Sequence, residues 1–148
     1  MYTLVDFGRI AEKSSIFRQA KENTARKGLS AIAMARQAAL LMLTVHGYEI
    51  PVNAVDSDFY RQALELDLRG KREYTEAILN AMGGISRARF SRYKALLKLS
   101  DEAIELADKY KLDEGKLRHV LDFAPIEHTE VIQQIVDLNL TVKQVKQL

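Results

Sequence analysis

The sequence of 148 residues has no cysteine, only two prolines and seven glycines, and no long hydrophobic run. Without cysteine there is neither a disulfide framework nor a thiolate metal site. The three histidines, His46, His119 and His128, are scattered without metal-ligand spacing and read as ordinary surface or boundary residues. The longest apolar stretch, Ala38 to Val45, is far too short to span a bilayer. Met1 to Lys13 carries four charges and no continuous apolar segment, so no signal peptide is expected and a cytoplasmic protein is the plain reading. With so few breakers, apolar spacing is helical nearly throughout and strand-like alternation does not appear. The expected fold is all-α, a multi-helix bundle containing a helix-turn-helix and preceded by a helical arm.

The excess of positive charge is small, +2 overall, but it is unevenly spread. Residues 1–46 carry seven Lys/Arg against three Asp/Glu, and residues 47–68 one against five. Residues 69–98 carry eight against two, and residues 99–148 six against ten. One strongly basic block in a near-neutral chain points to a localised anion-binding surface.

Ser14 to Lys27 reads as a polar, basic helix stopped by Gly28. Ser30 caps a second helix with an apolar stripe of Ile32, Ala35, Ala39, Met42 and Leu43. A loop through Pro51 leads to a helix over 58–68, ended by Arg69-Gly70. Thr75 is placed as the cap of a short helix from Glu76 to Met82, and Ser86 as the cap of the next, to about Lys98. Ser100, Asp113, Pro125 and Thr141 mark the starts of four further helices. The division expected is a helical arm or linker over 1–46 and a DNA-binding domain with a C-terminal helical subdomain over 47–148.

The informative segment runs from Tyr74 to Tyr93: a short helix, a glycine turn at Met82-Gly83-Gly84, and a second helix opened by a serine. That is the pattern of a DNA-reading helix-turn-helix, whose second helix enters the major groove by its N-terminal end. At 100° per residue, Phe90, Tyr93, Leu96 and Leu97 share one face and should pack inward. Arg87, Ala88, Ser91, Arg92 and Ala95 occupy the opposite arc. Small residues allow close approach to base edges, and arginine forks bind guanine bidentately. Arg89 belongs to the same basic set, and residues 85–98 hold five cations and no acid. Ser86, Lys94 and Lys98 are placed for phosphates, which give affinity and register rather than readout. Free N–H groups at the helix starts, at Thr75 and Ser86, add phosphate sites.

Gly84-Ile85-Ser86-Arg87-Ala88-Arg89-Phe90-Ser91-Arg92-Tyr93, followed by Leu96-Leu97-Lys98-Leu99-Ser100-Asp101-Glu102, resembles the central DNA-binding domain of the ParB/RepB partition-protein family. Leu112-Asp113-Glu114-Gly115-Lys116-Leu117-Arg118 is similar to the family's "L-S-E-G-H-A-R" helix start, which adds Lys116 and Arg118 to the DNA-binding set. Glu22-Asn23-Thr24-Ala25-Arg26-Lys27-Gly28-Leu29-Ser30 resembles its "E-N-x-x-R-x-x-L" box. The resemblance implies a homodimer on a palindromic, centromere-like site in double-stranded DNA, association with the nucleoid, and a Walker-type partition ATPase as partner. For a full-length member it also implies CTP and Mg²⁺, with Glu22, Asn23 and Arg26 as the nucleotide-binding positions.

Three departures stand out. The turn holds two glycines where the family usually has one, and Lys116-Leu117 replaces His-Ala. The arginine-rich nucleotide motifs that normally precede the Glu-Asn box are absent, so the sequence reads as the middle of such a protein and no cofactor is expected for it. Tyr2, Phe7, Ile10, Ile16 and Phe17 would then need other cover, such as a second copy of the chain. A nuclease would need clustered carboxylates or histidines around divalent ions. The acids of 101–108 and 113–114 instead sit where helix dipoles and solvent explain them, so no catalytic residue is assigned and the chain is read as a non-enzyme. A transcriptional regulator or nucleoid-occlusion-like protein would use the same DNA-reading domain.

Overall fold

The computed structural model describes the backbone of residues 4–25, 29–53 and 56–148, and side chains within those ranges from Ser15 onward. Among the described residues there are helices and no strands. The helices are α1 (Leu4–Ala25), α2 (Ala31–Val45), α3 (Ser57–Arg61), α4 (Arg72–Ala81), α5 (Arg87–Ala95), α6 (Asp101–Lys109), α7 (Glu114–Val120), α8 (His128–Asp137) and α9 (Val142–Lys146). Side-chain caps open most of those that follow a loop. Ser30, Asp56, Ser86, Ser100, Asp113 and Thr141 each accept a hydrogen bond from a backbone N–H in the first turn.

The centre of the fold is α2. Twelve of its 15 residues are buried, including Gln37 and Thr44, so it is a core helix rather than an amphipathic arm. It packs on α1, α5 and α6 and on the two 3₁₀ turns that follow α3 and α5. The arm drawn over residues 1–46 is therefore corrected for α2, which shares its core with the DNA-binding segment. Its start is pinned to α6: the Ser30 hydroxyl donates to Asp108 at 2.6 Å, and Arg36 lies within 3.8 Å of Asp108 and 3.7 Å of Glu105. Ile16 and Phe17 of α1 are half-buried against this core. Tyr2 and the side chains of Phe7 and Ile10 lie outside the described residues.

Three helices differ from expectation, the first being α1, expected over 14–27 and beginning at Leu4. The helix expected over 58–68 is only α3 followed by a 3₁₀ turn, Gln62–Glu65, after which Leu66 is extended. Arg61, at the end of α3, ties this segment to the turn after α5, its guanidinium donating to the Leu97 and Leu99 carbonyls at 2.9 and 2.7 Å and pairing with Asp58 and Asp101. The helix expected to be capped by Thr75 begins four residues earlier, with Lys71 in the cap position after Gly70, whose φ of +74° suits glycine. Thr75 is thus inside α4, 6% exposed, with its hydroxyl turned back to Lys71.

The C-terminal helices α6 to α9 close the fold around Ile104, Leu117, Val120, Ile132, Ile135 and Val145. His128, read from the sequence as a surface or boundary residue, is 2% exposed among them. Its Nδ1 accepts from the Ser100 N–H at 3.2 Å, which leaves the hydrogen on Nε2 to be donated to the Phe123 carbonyl at 3.0 Å. The ring is buried because it satisfies two backbone groups that no local partner reaches.

Phe90, 4% exposed, joins α5 to this core. Phe90→Ala should cost about 3–5 kcal/mol, the range for truncating a buried aromatic. Chemical denaturation checks it; an unchanged midpoint would mean that the ring is not packed.

Candidate nucleic-acid interface

Helices α4 and α5 form the two limbs of the helix-turn-helix, joined by Met82-Gly83-Gly84-Ile85-Ser86. Gly83 and Gly84 have φ of +91° and +75°. The Gly83 N–H donates to the Asn80 carbonyl at 3.0 Å and the Gly84 N–H to the Leu79 carbonyl at 2.8 Å, the pattern that closes a helix C-terminus with a left-handed residue. The second glycine is therefore used by the turn. Ser86 is extended, and its hydroxyl accepts from the Arg89 N–H at 3.1 Å to start α5.

The two faces of α5 separate as the periodicity predicts. Phe90, Tyr93, Leu96 and Leu97 are buried, while Ser86, Arg87, Ala88, Arg89, Ser91 and Arg92 are exposed. Among the described residues no carboxylate pairs with Arg87 or Arg92. The guanidinium of Arg89 lies 5.7 Å from the Tyr93 ring centroid and donates to its hydroxyl at 3.3 Å, which limits its freedom. Lys98, at the end of the 3₁₀ turn Leu96–Lys98, is exposed.

Three of the candidate DNA contacts, Thr75, Lys94 and Arg118, have side chains engaged within the fold. Thr75 is buried within α4, as described. Lys94 is half-buried and its ammonium donates to the Leu66 carbonyl at 2.7 Å. Burial pushes its pKa below the ordinary lysine value, against the pull of Asp67. That lysine ties α5 to the segment before α4. Arg118 is engaged by Glu114 through two hydrogen bonds, at 2.7 and 2.8 Å, which raise its pKa. Lys116 is half-buried, and its backbone N–H donates to the Asp113 cap of α7.

Two cations absent from the sequence-derived set join the face. Arg69 and Arg72, with Arg87, line a cleft of about 410 Å³ between the start of α4 and the start of α5. Arg72 and Arg87 have no carboxylate partner among the described residues, and Arg69 lies 3.8 Å from Asp67. Both belong to the basic block of 69–98, but a first helix capped by Thr75 places them in the preceding loop. The Gly70-Lys71-Arg72 sequence, a glycine just before two cations, was the available signal.

The Glu-Asn box lies at the end of α1. Glu22 is exposed, and Asn23 lines a groove of about 310 Å³ between α1 and α2 with Ile16, Leu29, Leu40, Leu41 and Ile50. Among the described lining residues the one cation is Arg36, which is already held by Glu105 and Asp108. Arg26 lies outside the described residues. A triphosphate needs several cationic donors together, and the described residues here do not fit one. Nor do three or more His, Asp or Glu side chains meet as a metal site among the described residues. No described helix is long and apolar enough to cross a membrane.

An exposed arginine face, without a carboxylate among the described residues, on a serine-capped helix joined by a glycine turn to a partner helix, defines a helix-turn-helix DNA-binding domain. Residues 63–148 match the family model described as the ParB HTH domain, and the chain belongs to that family. The matched domain is a DNA-binding one, not a catalytic one. No curated protein and no solved structure is similar enough to match.

Lys94→Ala should lower stability by about 1 kcal/mol, as the Leu66 carbonyl loses its partner, while leaving the salt dependence of DNA binding unaltered. Lys98→Ala should do the reverse, flattening the log–log salt slope by about one unit. Thermal unfolding and a salt titration of both variants separate the two roles.

Proposed function

We propose that this protein binds a palindromic, centromere-like site in duplex DNA as a homodimer, in plasmid or chromosome partition, with a Walker-type ATPase as partner. It would act in the cytoplasm, on the nucleoid. The observation that carries the reading is the pair Arg87 and Arg92, exposed on α5 without a carboxylate while Phe90 and Tyr93 are buried beneath them. Arginines left unpaired beside small residues on a packed helix suit bidentate contact with guanine edges. One such helix reads only a few base pairs, so two copies related by a twofold axis read a palindrome. Arg69, Arg72 and Lys98 flank that helix and supply phosphate contacts that set its register.

Selection from a randomised duplex library should recover an inverted repeat. Binding to it should weaken steeply with salt, with a log–log slope near −5 for roughly six phosphates. Arg87→Ala and Arg92→Ala should each cost about 1–3 kcal/mol on that site and relax preference at one base position. Recovery of no sequence, even at low salt, would overturn the reading.

CTP is expected to play no part in this chain. The groove beside Asn23 is mostly apolar, and its arginine is already paired. Calorimetry with CTP and Mg²⁺ should show no binding tighter than about millimolar, given so few free cationic donors among the described residues. Micromolar binding abolished by Asn23→Ala would show that the box keeps the nucleotide role implied by the resemblance.

A further inference from the structure

Each carbonyl at the end of α4 has a partner, but they come from different places. Ile78 accepts from the Met82 N–H at 3.1 Å, Leu79 from Gly84 and Asn80 from Gly83, all within the turn itself. The Ala81 carbonyl instead faces a group from α1, the Thr24 hydroxyl, at 2.8 Å. That hydroxyl also lies 2.8 Å from the Ala20 carbonyl one turn back in its own helix. A hydroxyl has a single hydrogen to donate, so the two carbonyls share it.

Gln37 completes the arrangement. Its side chain is 8% exposed on α2, and its amide nitrogen donates to the Thr24 oxygen at 2.6 Å and reaches the Met82 sulfur at 3.5 Å. A donor on the oxygen side polarises the hydroxyl and strengthens the bond it gives. Contact is close as well as polar: a Cβ built on Gly83 would meet the Thr24 methyl at 3.0 Å. Glycine at 83 therefore answers both a positive φ and the approach of α1.

We infer that Thr24 is a positioning residue for DNA recognition, through which α1 and α2 hold the turn of the helix-turn-helix and so set the angle at which α5 is presented. The inference rests on the DNA-binding reading above. Thr24 belongs to the Glu-Asn box, so the described part of that box acts on the turn. Displacing α1 would return the hydrogen to Ala20 and free the Ala81 carbonyl, loosening the turn without touching a DNA-facing side chain.

Thr24→Val keeps the shape and methyl contact but removes the hydroxyl, whereas Thr24→Ser keeps the hydroxyl. On the full chain, the probes are the duplex recovered by selection, a scrambled duplex of equal length, and amide hydrogen exchange. Thr24→Val should weaken binding to the selected duplex about tenfold, as expected for one lost hydrogen bond at a partly buried carbonyl. Binding to the scrambled duplex should be nearly unchanged, since it depends on charge alone. Exchange at Gly83 and Gly84 should accelerate while Ile104 and Ile132 stay protected, and Thr24→Ser should restore all three. A variant that discriminates between the duplexes as well as the wild type overturns the inference, whatever its exchange rates. So does one whose core amides accelerate as much as the turn, since Thr24 would then serve the fold in general. If the wild type itself discriminates between no duplexes, the DNA reading fails and the inference fails with it. The exchange arm then still reports whether the tie to the turn exists.

Discussion

The position of α5 depends on the burial of α2. Ala35, Ala38, Ala39, Leu41 and Leu43 have no exposed surface, and small residues among large ones let neighbouring helices approach on several sides. α5 makes the most extensive of these contacts, through a face that includes Phe90 and Tyr93. A helix that must present arginines at a fixed angle gains from being seated on an extensively buried helix, because readout needs its side chains held close to the productive geometry. The family match begins at residue 63, but the core that supports the matched domain includes α2, well upstream of it.

Polar ties then fix the ends of α5. Arg61 bonds the Leu97 and Leu99 carbonyls, which leave the helical ladder at the 3₁₀ turn after α5. Lys94 bonds the Leu66 carbonyl, and Ser86 caps the start. Buried backbone groups without partners are costly, and here long cationic side chains supply those partners across tertiary distance. Two arginine populations result. Arg36, Arg61 and Arg118 have carboxylates beside them and serve the fold. Arg72, Arg87 and Arg92 have none among the described residues, and the first two line one cleft. Exposed ion pairs contribute little to stability, so leaving this second group unpaired costs the fold little and keeps its charge for a ligand.

Much was legible in the sequence because it was local. Ser30, Ser86, Ser100, Asp113 and Thr141 cap the helices they were expected to cap, since a side-chain oxygen reaching an N–H three residues on needs no distant partner. The inward face of α5 followed from the 3.6-residue period, and the turn from two glycines that both need positive φ. The all-α class and the helix-turn-helix were determined in the same way.

Tertiary structure decided what each long or polar side chain does. Lys94 and Arg118 are cations like Arg87, and it is the carbonyl of Leu66 and the carboxylate of Glu114 that engage them. His128 looked like any scattered histidine until Ser100 and Phe123, 28 and 5 residues away, left backbone groups for it to satisfy. The start of α4 at Arg72, and with it the cleft of Arg69, Arg72 and Arg87, depended on how the preceding segment is pulled toward α5. Periodicity and capping act over three or four residues and are written in the chain; the partner of a flexible charged side chain is chosen by whatever the fold brings within hydrogen-bond reach.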